Sequence, residues 1–196
     1  FFMSDNGPSR ESRNWLDGRP DHYYGGTRGG LKGHKFSLYE GGIRVPGIMS
    51  WPARIPAGQV LHGMAAAMDI FPTFLRAAGG EPAEYDLDGL DLLPMVCEGA
   101  PSPHETLFWE MDRQTAIRRG RWKLVLNGQL VEGAPPEDEV HLADLETDMG
   151  ERTNLQGEYP QLAAELRAAA EAWRQEIEDL WQHYWLPRAN GTTALH

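Results

Sequence analysis

The chain of 196 residues contains one cysteine, Cys97, and no long apolar run. A single cysteine excludes an internal disulfide framework and a cysteine-based zinc site. A membrane-spanning helix needs roughly 20 consecutive apolar residues, so we expect no membrane partner. Positive charge is also scarce, because 18 Lys and Arg stand against 29 Asp and Glu and give a net charge of -11. Nucleic acid would repel such a chain, so we expect no nucleic-acid partner either.

The charge that is present is distributed unevenly. Residues 1–60 carry eight Lys and Arg against five Asp and Glu, whereas residues 61–196 carry ten against 24. Within the first part, the segment Ser9–Glu40 has no helical or alternating apolar period and is rich in glycine. Irregular segments of this length are uncommon in compact domains. The pattern therefore predicts a long loop that is either functional or disordered.

The first residues have the character of the end of a buried strand. Phe1–Met3 is apolar and leads directly into the turn sequence Asp5–Pro8, so we expect that the chain begins inside a fold. A short strand over Val45–Trp51 and a helix over Asp69–Ala78 are predicted next, the helix ending at two glycines.

Residues 105–196 have a different pattern. Four β-prone segments predict a small antiparallel sheet, namely Thr106–Met111, Thr115–Arg119, Trp122–Asn127 and Val140–Leu145. From Pro160 onward, apolar side chains recur with a period near 3.6 over about six turns, which predicts a long helix lying across the sheet. The expected fold class is therefore α/β, with a C-terminal subdomain made of this sheet and helix.

Two adjacent oxygen-bearing side chains, Asp5 and Asn6, follow the first predicted strand. Open α/β sheets place ligands at the carboxyl ends of their strands, and carboxylate and amide oxygens suit Ca²⁺ or Mg²⁺. The alternative is a plain turn, because Asp-Asn-Gly-Pro is strong turn chemistry. From these residues alone the turn is favoured. A metal at this position needs further ligands from elsewhere.

Three basic residues, Lys32, His34 and Lys35, are interleaved with glycine in the predicted loop. A lysine beside exposed backbone amides can neutralise an anionic oxygen, and a neighbouring histidine can donate a proton. The alternative is a solvated basic loop, but the local positive charge in an acidic chain favours an anion site. Glu40 is predicted to pair with Arg44 and to brace this loop, which is a structural role.

Further candidates lie in the second half of the chain. Trp109, Glu110 and Arg113 are candidate substrate-binding residues at or near the end of a predicted strand. An exposed strand end explains Glu110 and Asp112 equally well. Most other aromatic and imidazole side chains have plainer interpretations. We expect core positions for Trp109, Trp122, Trp173 and Trp181, and surface positions for His104, His141 and His183.

Seven motifs follow one another in a familiar order. They are FFMSDNGP, KGHKFSLYEGGIRVPGIMSWP, MDIFPTFLRAAGG, DGLDLLP, LFWEM, AIRRGRWKLV and HLADLETDMGERTNL. Together with the terminal helix, they resemble the C-terminal part of a type I sulfatase, of the arylsulfatase family in the alkaline phosphatase superfamily. The resemblance covers residues 1–185. Its most specific part is the motif SDNG followed by the motif YEGGIRVP. The resemblance implies the C-terminal part of an alkaline-phosphatase-like sulfatase fold, in which residues 1–104 are an incomplete portion of the catalytic α/β domain and residues 105–196 are the C-terminal subdomain.

The resemblance also implies roles for individual residues. In sulfatases the Asp-Asn of the first motif ligates a divalent cation, usually Ca²⁺ with Mg²⁺ as the other candidate, so Asp5 and Asn6 are the expected ligands here. The family's lysine five residues before the Glu of EGG contacts the sulfate, which makes Lys35 the expected catalytic residue. His34 is a candidate for substrate binding from its position only. The expected substrate is a sulfate ester.

The chain lacks several active-site residues of the family, namely the nucleophile, the arginine and lysine beside it, the aspartate pair that completes the metal site, and the active-site histidines. Sulfatases carry a formylglycine made from Cys or Ser in a C/S-x-P-S/A-R motif, and Cys97 is followed by residues that do not fit. The resemblance assigns the nucleophile and its flanking residues to sequence before Phe1. We therefore expect a fragment that is inactive alone, whose partner is the N-terminal half of a sulfatase. An exposed sheet edge would also permit a homo-oligomer.

Two other functions remain open at this point. A phosphonate or phosphodiester hydrolase of the same superfamily would share the metal and the lysine. A non-catalytic binding module would instead use the acidic C-terminal sheet as a protein surface. Periplasmic, secreted and cytoplasmic locations are all compatible with the sequence.

Overall fold

The computed structural model describes residues 1–10 and 26–186. Two compact units are distinguished within the chain. Unit 1 is made of Phe1–Met3 and Pro46–Leu107, and unit 2 of Ser4–Val45 and Phe108–His196. The domain boundary expected after residue 104 stays a prediction. Of the predicted loop over residues 9–40, residues 11–25 lie outside the described residues, and residues 26–38 are irregular.

Six strands and four α-helices account for most of the regular structure in the described ranges. In chain order they are β1 (Phe2–Met3), α1 (Glu40–Ile43), β2 (Gly47–Ile48), α2 (Ile70–Ala77), α3 (Leu93–Glu98), β3 (Thr106–Met111), β4 (Gln114–Arg119), β5 (Trp122–Leu126), β6 (Val140–Asp144) and α4 (Pro160–Leu180). Short 3₁₀ turns over Ala67–Asp69 and Pro82–Glu84 flank α2, and a π-helical turn over Trp181–Trp185 continues α4. No helix in these ranges is long and apolar enough to cross a membrane.

Unit 1 consists of short elements around a small core. Its strands β1 and β2 pair antiparallel, with Phe2 opposite Ile48. Its core is a cluster of Leu92, Met95 and Val96, against which the half-buried Cys97 also packs. A buried carboxylate stabilises the turn into α2. Asp69 accepts the backbone amides of Ala66 at 2.7 Å and Leu90 at 2.9 Å, and its Oδ1 lies 2.8 Å from His104 Nε2.

Unit 2 contains the predicted sheet, in the order β3-β4-β5-β6. The pairs β4·β5 and β5·β6 are antiparallel. Arg119 pairs with Trp122, which leaves Gly120 and Arg121 as a tight turn, and Gly120 adopts a left-handed φ of 56° that glycine accommodates without strain. The four strands and the turn agree with the sequence prediction.

Helix α4 lies on this sheet, as its sequence period predicts. Its buried side chains are Ala163, Leu166 and Ala170, spaced three and four residues apart. They pack with Ile117 and Leu124, among other residues of the sheet, in the largest apolar cluster of the described residues. Proline at the first helical position and the apolar stripe together explain why the helix begins and lies where it does.

Some positional expectations were wrong. Trp181 is 50% exposed, because the chain at this point has passed the last buried residue of α4, Ala170. His104 and His141 are buried rather than at the surface. Each of them has an acidic partner, since His141 Nδ1 lies 2.8 Å from Asp138 Oδ2 and His104 contacts the carboxylate in unit 1. A histidine with such a partner loses little by burial.

Candidate anion and metal site

The Asp5-Asn6 turn is shaped by its own side chains. Asn6 donates its backbone N–H to Asp5 Oδ1 at 3.0 Å and its side-chain Nδ2 to the Gly7 carbonyl at 2.9 Å. Ser4 Oγ donates to the Asn6 carbonyl at 2.9 Å. Asp5 Oδ2 and Asn6 Oδ1 take part in none of these bonds among the described residues, and they are hard oxygen ligands of the kind that Ca²⁺ and Mg²⁺ take. The donor chemistry therefore fits such a cation, although Ca²⁺ needs roughly six to eight oxygens.

Gly7 joins this turn to the EGG motif, which forms α1. The Gly7 N–H donates to the Gly42 carbonyl at 2.8 Å. A Cβ at Gly7 would lie 1.9 Å from the Gly41 carbonyl oxygen, a distance that no side chain can occupy. Because the two backbones touch, only glycine fits at position 7. The two motifs that specify the sequence resemblance are therefore in direct contact in the fold.

Lys35 lies beside the same turn. Its backbone N–H donates to the Pro8 carbonyl at 3.0 Å, and its Nζ lies 5.4 Å from the centre of the Phe36 ring. Phe36 has a left-handed φ of 72°, which is unusual for an aromatic residue and indicates a tightly constrained loop. The structure thus brings Asp5, Asn6 and Lys35 onto adjoining segments of unit 2.

His34, the residue before Lys35, has a buried Nδ1 with no hydrogen-bond partner among the described residues. Burial lowers the pKa of this imidazole, and the charges of Arg28 and Arg10 lower it further, against a hydrogen bond with the Leu130 backbone that raises it. Neutral imidazole is therefore favoured near neutral pH. Arg10 and Arg28, which the sequence motifs did not indicate, therefore add positive charge around the loop.

Lys32 has a different environment from Lys35. Its ammonium lies 4.3 Å from the centre of the Tyr39 ring and 3.9 Å from Glu137 Oε2. Both contacts stabilise the cation within the protein. Tyr39 is fully buried, and Gly128 leaves room for its ring, since a Cβ there would lie 2.7 Å from the ring. Lys32 therefore braces the loop instead of facing a ligand.

Glu40 begins α1 and lies in a buried cluster of charges. Lys123 Nζ donates to Glu40 Oε1 at 2.8 Å and lies 3.1 Å from Glu151 Oε1. Arg44 Nη1 lies 3.3 Å from Glu40 Oε2, which confirms the predicted pairing of these two residues. Burial alone would raise the pKa of Glu40, but Lys123, Arg44 and Arg118 bring this pKa below its ordinary value. Glu40 is thus ionised and structural.

The three substrate-binding candidates from the second half of the chain are in different environments. Trp109 packs against a cluster that includes Tyr39. Glu110 Oε2 is 2.9 Å from Arg174 Nε and is engaged in an ion pair. Arg113 lines an open cleft of about 390 Å³ whose other lining residues are Asp112, Asn127, Gln129 and Pro136. None of these lining residues belongs to the Asp5, Asn6 and Lys35 group.

Sequence reasoning missed the buried residue that holds the loop after Lys35. Gln114, at the start of β4, donates Nε2 to the Phe36 carbonyl at 2.8 Å, and its Oε1 accepts the backbone amides of Leu38 and Gln129 at 3.2 Å and 2.9 Å. A glutamine at the start of a strand carries no sequence signal for this role. Two of its partners, Leu38 and Phe36, lie 76 and 78 residues earlier in the sequence.

One run that the motif analysis passed over matches the letters of the nucleophile motif. Ser50-Trp51-Pro52-Ala53-Arg54 reads S-x-P-A-R. It belongs to unit 1, unlike Asp5, Asn6 and Lys35, and it forms a turn in which Arg54 N–H donates to the Trp51 carbonyl at 2.9 Å. The run also follows the EGG motif within the second of the seven motifs. The resemblance assigns the nucleophile to sequence before Phe1, so this run is not at the nucleophile's expected position.

Comparisons with known proteins agree with these observations. The sulfatase family model matches residues 1–80. The dog N-acetylgalactosamine-6-sulfatase is 38% identical over 124 residues, which cover 63% of this chain and 22% of that protein. Bovine arylsulfatase A is 31% identical over 185 residues, which cover 84% of this chain and 34% of that protein. The chain thus spans between about a fifth and a third of these relatives.

Solved structures resemble the fold over most of the chain. A protein from a study of glycosaminoglycan metabolism by Bacteroides thetaiotaomicron has a TM-score of 0.69 and 25% identity, over 89% of this chain and 38% of that one. The PsFucS1 sulfatase from Pseudoalteromonas sp. has a TM-score of 0.65 and 22% identity, over 93% of this chain and 37% of that one. The expected fold class, the C-terminal part of a sulfatase fold, is confirmed.

Proposed function

We propose that this chain, whose resemblance to the C-terminal part of the sulfatases is confirmed in sequence and in fold, is a segment of a sulfuric ester hydrolase. In this proposal Asp5 and Asn6 supply two ligands of a divalent cation, most simply Ca²⁺, and Lys35 contacts the sulfate group. The remaining ligands and a formylglycine nucleophile come from an N-terminal half outside residues 1–196. The chain alone then has no turnover.

A single arrangement supports this proposal most strongly. The N–H of Gly7 binds the Gly42 carbonyl, and the N–H of Lys35 binds the Pro8 carbonyl. These two bonds hold the candidate metal ligands and the candidate sulfate contact on neighbouring backbones, although some thirty residues separate them in sequence. A plain surface turn and a solvated basic loop, which were the alternatives from sequence, would not require this contact.

The chemistry of the residues fits sulfate-ester hydrolysis. A bound divalent cation would stabilise negative charge on the transferring sulfuryl group. Lys35, whose backbone is bound to the Pro8 carbonyl beside the turn, would supply an ammonium that neutralises another of its oxygens. His34 is kept neutral by burial and by the nearby arginines, and its buried Nδ1 has no hydrogen-bond partner among the described residues. We assign it to substrate binding, not to metal ligation.

The substrate class proposed here is a sulfate ester, as the names of the two relatives also suggest. Those names refer to an N-acetylgalactosamine 6-sulfate and to aryl sulfates. We propose that three further side chains contribute to substrate binding, namely Trp109, Glu110 and Arg113. Of the three, Trp109 has the best support, because its cluster includes Tyr39 in the loop that follows Lys35.

The proposal is tested by expressing residues 1–196 together with the coding sequence that precedes them. We expect hydrolysis of an aryl sulfate, and a loss of about 100-fold or more in kcat/KM for Lys35→Ala, since removal of one charge-stabilising donor costs this much. Arg119→Ala is the matched control, because Arg119 is a surface cation paired with Glu165. It should leave kcat/KM unchanged.

Three other results would contradict the proposal. Turnover by residues 1–196 alone that is lost in Ser50→Ala would mean that the S-x-P-A-R run is the nucleophile. Faster cleavage of a phosphonate or phosphodiester than of a sulfate ester would favour the other hydrolase of the superfamily. The protein made of residues 1–196 and the sequence that precedes them is called the extended protein below. If the extended protein hydrolyses none of these esters, a binding module is favoured.

A further inference from the structure

Lys123 is a fully buried cation with two buried carboxylates beside it. Its side chain has no exposed surface, and those of Glu40 and Glu151 have 3% and none. Taking charges out of water is expensive, and a buried ion cluster often contributes no more stability than apolar side chains of the same volume. The cluster is therefore better explained by what it holds in place than by the stability it adds.

The cluster fixes the first turn of α1 from two sides. Glu151 Oε2 accepts the Glu40 backbone N–H at 2.6 Å, while Lys123 binds the Glu40 side chain at 2.8 Å. Helix α1 has only four residues and no side-chain cap at its start. Glu151 supplies the missing acceptor for one of its free N–H groups. Both contacts come from residues that lie 83 and 111 positions away in sequence.

The turn that is fixed in this way is the one that contacts the Asp5-Asn6 turn. Directly after Glu40, the Gly41 N–H donates to the Lys32 carbonyl at 2.6 Å, and the Gly42 carbonyl accepts the Gly7 N–H at 2.8 Å. The backbones approach so closely that a Cβ at Gly41 would lie 2.4 Å from the Gly33 carbonyl. Small shifts of α1 must therefore move both loops.

We infer that Lys123 and Glu151 are positioning residues of the anion site, which hold the Asp5-Asn6 turn and the Lys35 loop in register through Glu40. The inference rests on the proposed function for its consequence, which is that the metal ligands and the sulfate contact lose their relative placement when the cluster is broken. The positioning of the two loops by the cluster does not depend on that function. It predicts that the backbone of both loops opens more easily when the cluster is broken, which can be measured without any ligand.

The experiment is hydrogen exchange of single amides in the full 196-residue chain, followed by NMR. In Lys123→Met, which keeps the volume and removes the charge, we expect the Gly7, Lys35 and Gly41 amides to exchange at least about tenfold faster, because local opening becomes easier. Amides of α4 such as Leu166 should keep their rates. Equal acceleration at all amides, or none at Gly7 and Lys35, would overturn the inference.

Two variants serve as control and rescue. Arg121→Met removes a cation two residues earlier, whose partner is Asp144, and should leave the Gly7 and Lys35 exchange rates unchanged. In the double variant Lys123→Met/Glu151→Gln, the carboxylate left without a counter-charge is neutralised while an oxygen remains to accept the Glu40 N–H. Exchange at Gly7 should then be slower than in Lys123→Met alone, and an additive or faster rate would count against the inference.

Glu151→Ala provides an independent variant if Lys123→Met does not fold. It removes the acceptor of the Glu40 N–H and should accelerate exchange at Gly41 and Gly7 by about tenfold while leaving α4 unchanged. In the extended protein, Lys123→Met should lower kcat/KM for an aryl sulfate while the protein remains folded. If no variant or wild type hydrolyses a sulfate ester, the proposed function fails, but the exchange result still decides the positioning role.

Discussion

The two units bury their side chains differently. Unit 2 has a continuous core between its sheet and α4, with fully buried Ile117, Leu124, Leu142 and Leu166. Unit 1 has a small cluster and exposes large apolar side chains on its short elements, namely Phe2, Ile48 and Phe71 at 62%, 60% and 59%. A contiguous core stabilises a fold by itself, whereas exposed apolar surface marks an interface. We conclude that unit 2 provides most of the intrinsic stability.

The largest effect is expected from a cavity in unit 2. Leu166 is fully buried at the centre of the stripe on α4, so Leu166→Ala should lower the free energy of unfolding by about 3 to 4 kcal/mol. Urea denaturation followed by tryptophan fluorescence measures the change. A loss below about 1 kcal/mol would show that α4 is not tightly packed on the sheet.

The next effect is expected in unit 1, at its one buried carboxylate among the described residues. Asp69→Ala leaves the amides of Ala66 and Leu90 and the His104 ring without their shared acceptor. We expect a loss of about 2 to 3 kcal/mol, the cost of several unpaired buried groups. Proteolysis within residues 60–105 should become faster while α4 stays protected. Equal cleavage of both regions would mean that the units do not unfold separately.

A smaller effect with a defined pH dependence is expected at the β4–β5 turn. Hydrogen bonds from Arg121 lower the pKa of Asp144 to about 2, and the Arg121 side chain is 40% exposed. A lowered carboxyl pKa stabilises the fold above the unfolded value near 4, and this contribution is lost as the pH falls through the folded value. Arg121→Met should therefore lower the free energy of unfolding at pH 7, by less than Asp69→Ala does, because solvent screens the exposed pair.

At pH 2 the same variant should cost clearly less stability than at pH 7, because Asp144 is then about half protonated in the folded protein and almost fully protonated in the unfolded chain. The check is the difference in unfolding free energy between Arg121→Met and wild type at the two pH values. A cost that is the same at pH 7 and pH 2 would show that Arg121 acts through packing and not through its charge.

The smallest effect on stability is expected at the exposed apolar surface of unit 1. Phe71→Ser should change the unfolding free energy by no more than about 0.5 kcal/mol, since little surface is buried there. It should nevertheless reduce self-association of the chain at high concentration, measured by sedimentation velocity. A chain that is monomeric at all concentrations before the substitution would contradict this prediction.

Local patterns were sufficient to predict most of unit 2. The strands and the Gly120-Arg121 turn follow from β-prone runs and a glycine, and α4 follows from the spacing of its apolar residues. Contacts across long sequence separations were not predictable. Gln114, Lys123 and Glu151 find their partners 76 to 111 residues away, and a single buried lysine in a strand has no periodic signal. Their partners were found only once the fold was known.

The candidate site likewise contains residues that the sequence predicted and others that it did not. Asp5, Asn6 and Lys35 were found through a resemblance of two motifs, and their adjacency then followed from backbone contacts at Gly7 and Pro8. The surface positions predicted for His104 and His141 were wrong, because a sequence does not reveal which carboxylate will meet an imidazole. Buried polar residues of this kind need the tertiary structure to explain them.

We propose that Asp5 and Asn6 belong to the metal site of a longer sulfatase. The most direct measurement is calorimetric titration of Ca²⁺ into the extended protein and into its Asp5→Ala variant, with Arg119→Ala as the control. We predict that Asp5→Ala weakens Ca²⁺ binding by at least about tenfold to 100-fold, in line with losses seen when a metal site is disturbed, while Arg119→Ala binds as wild type. Equal affinity of Asp5→Ala and wild type would show that Asp5 is not a ligand of the metal.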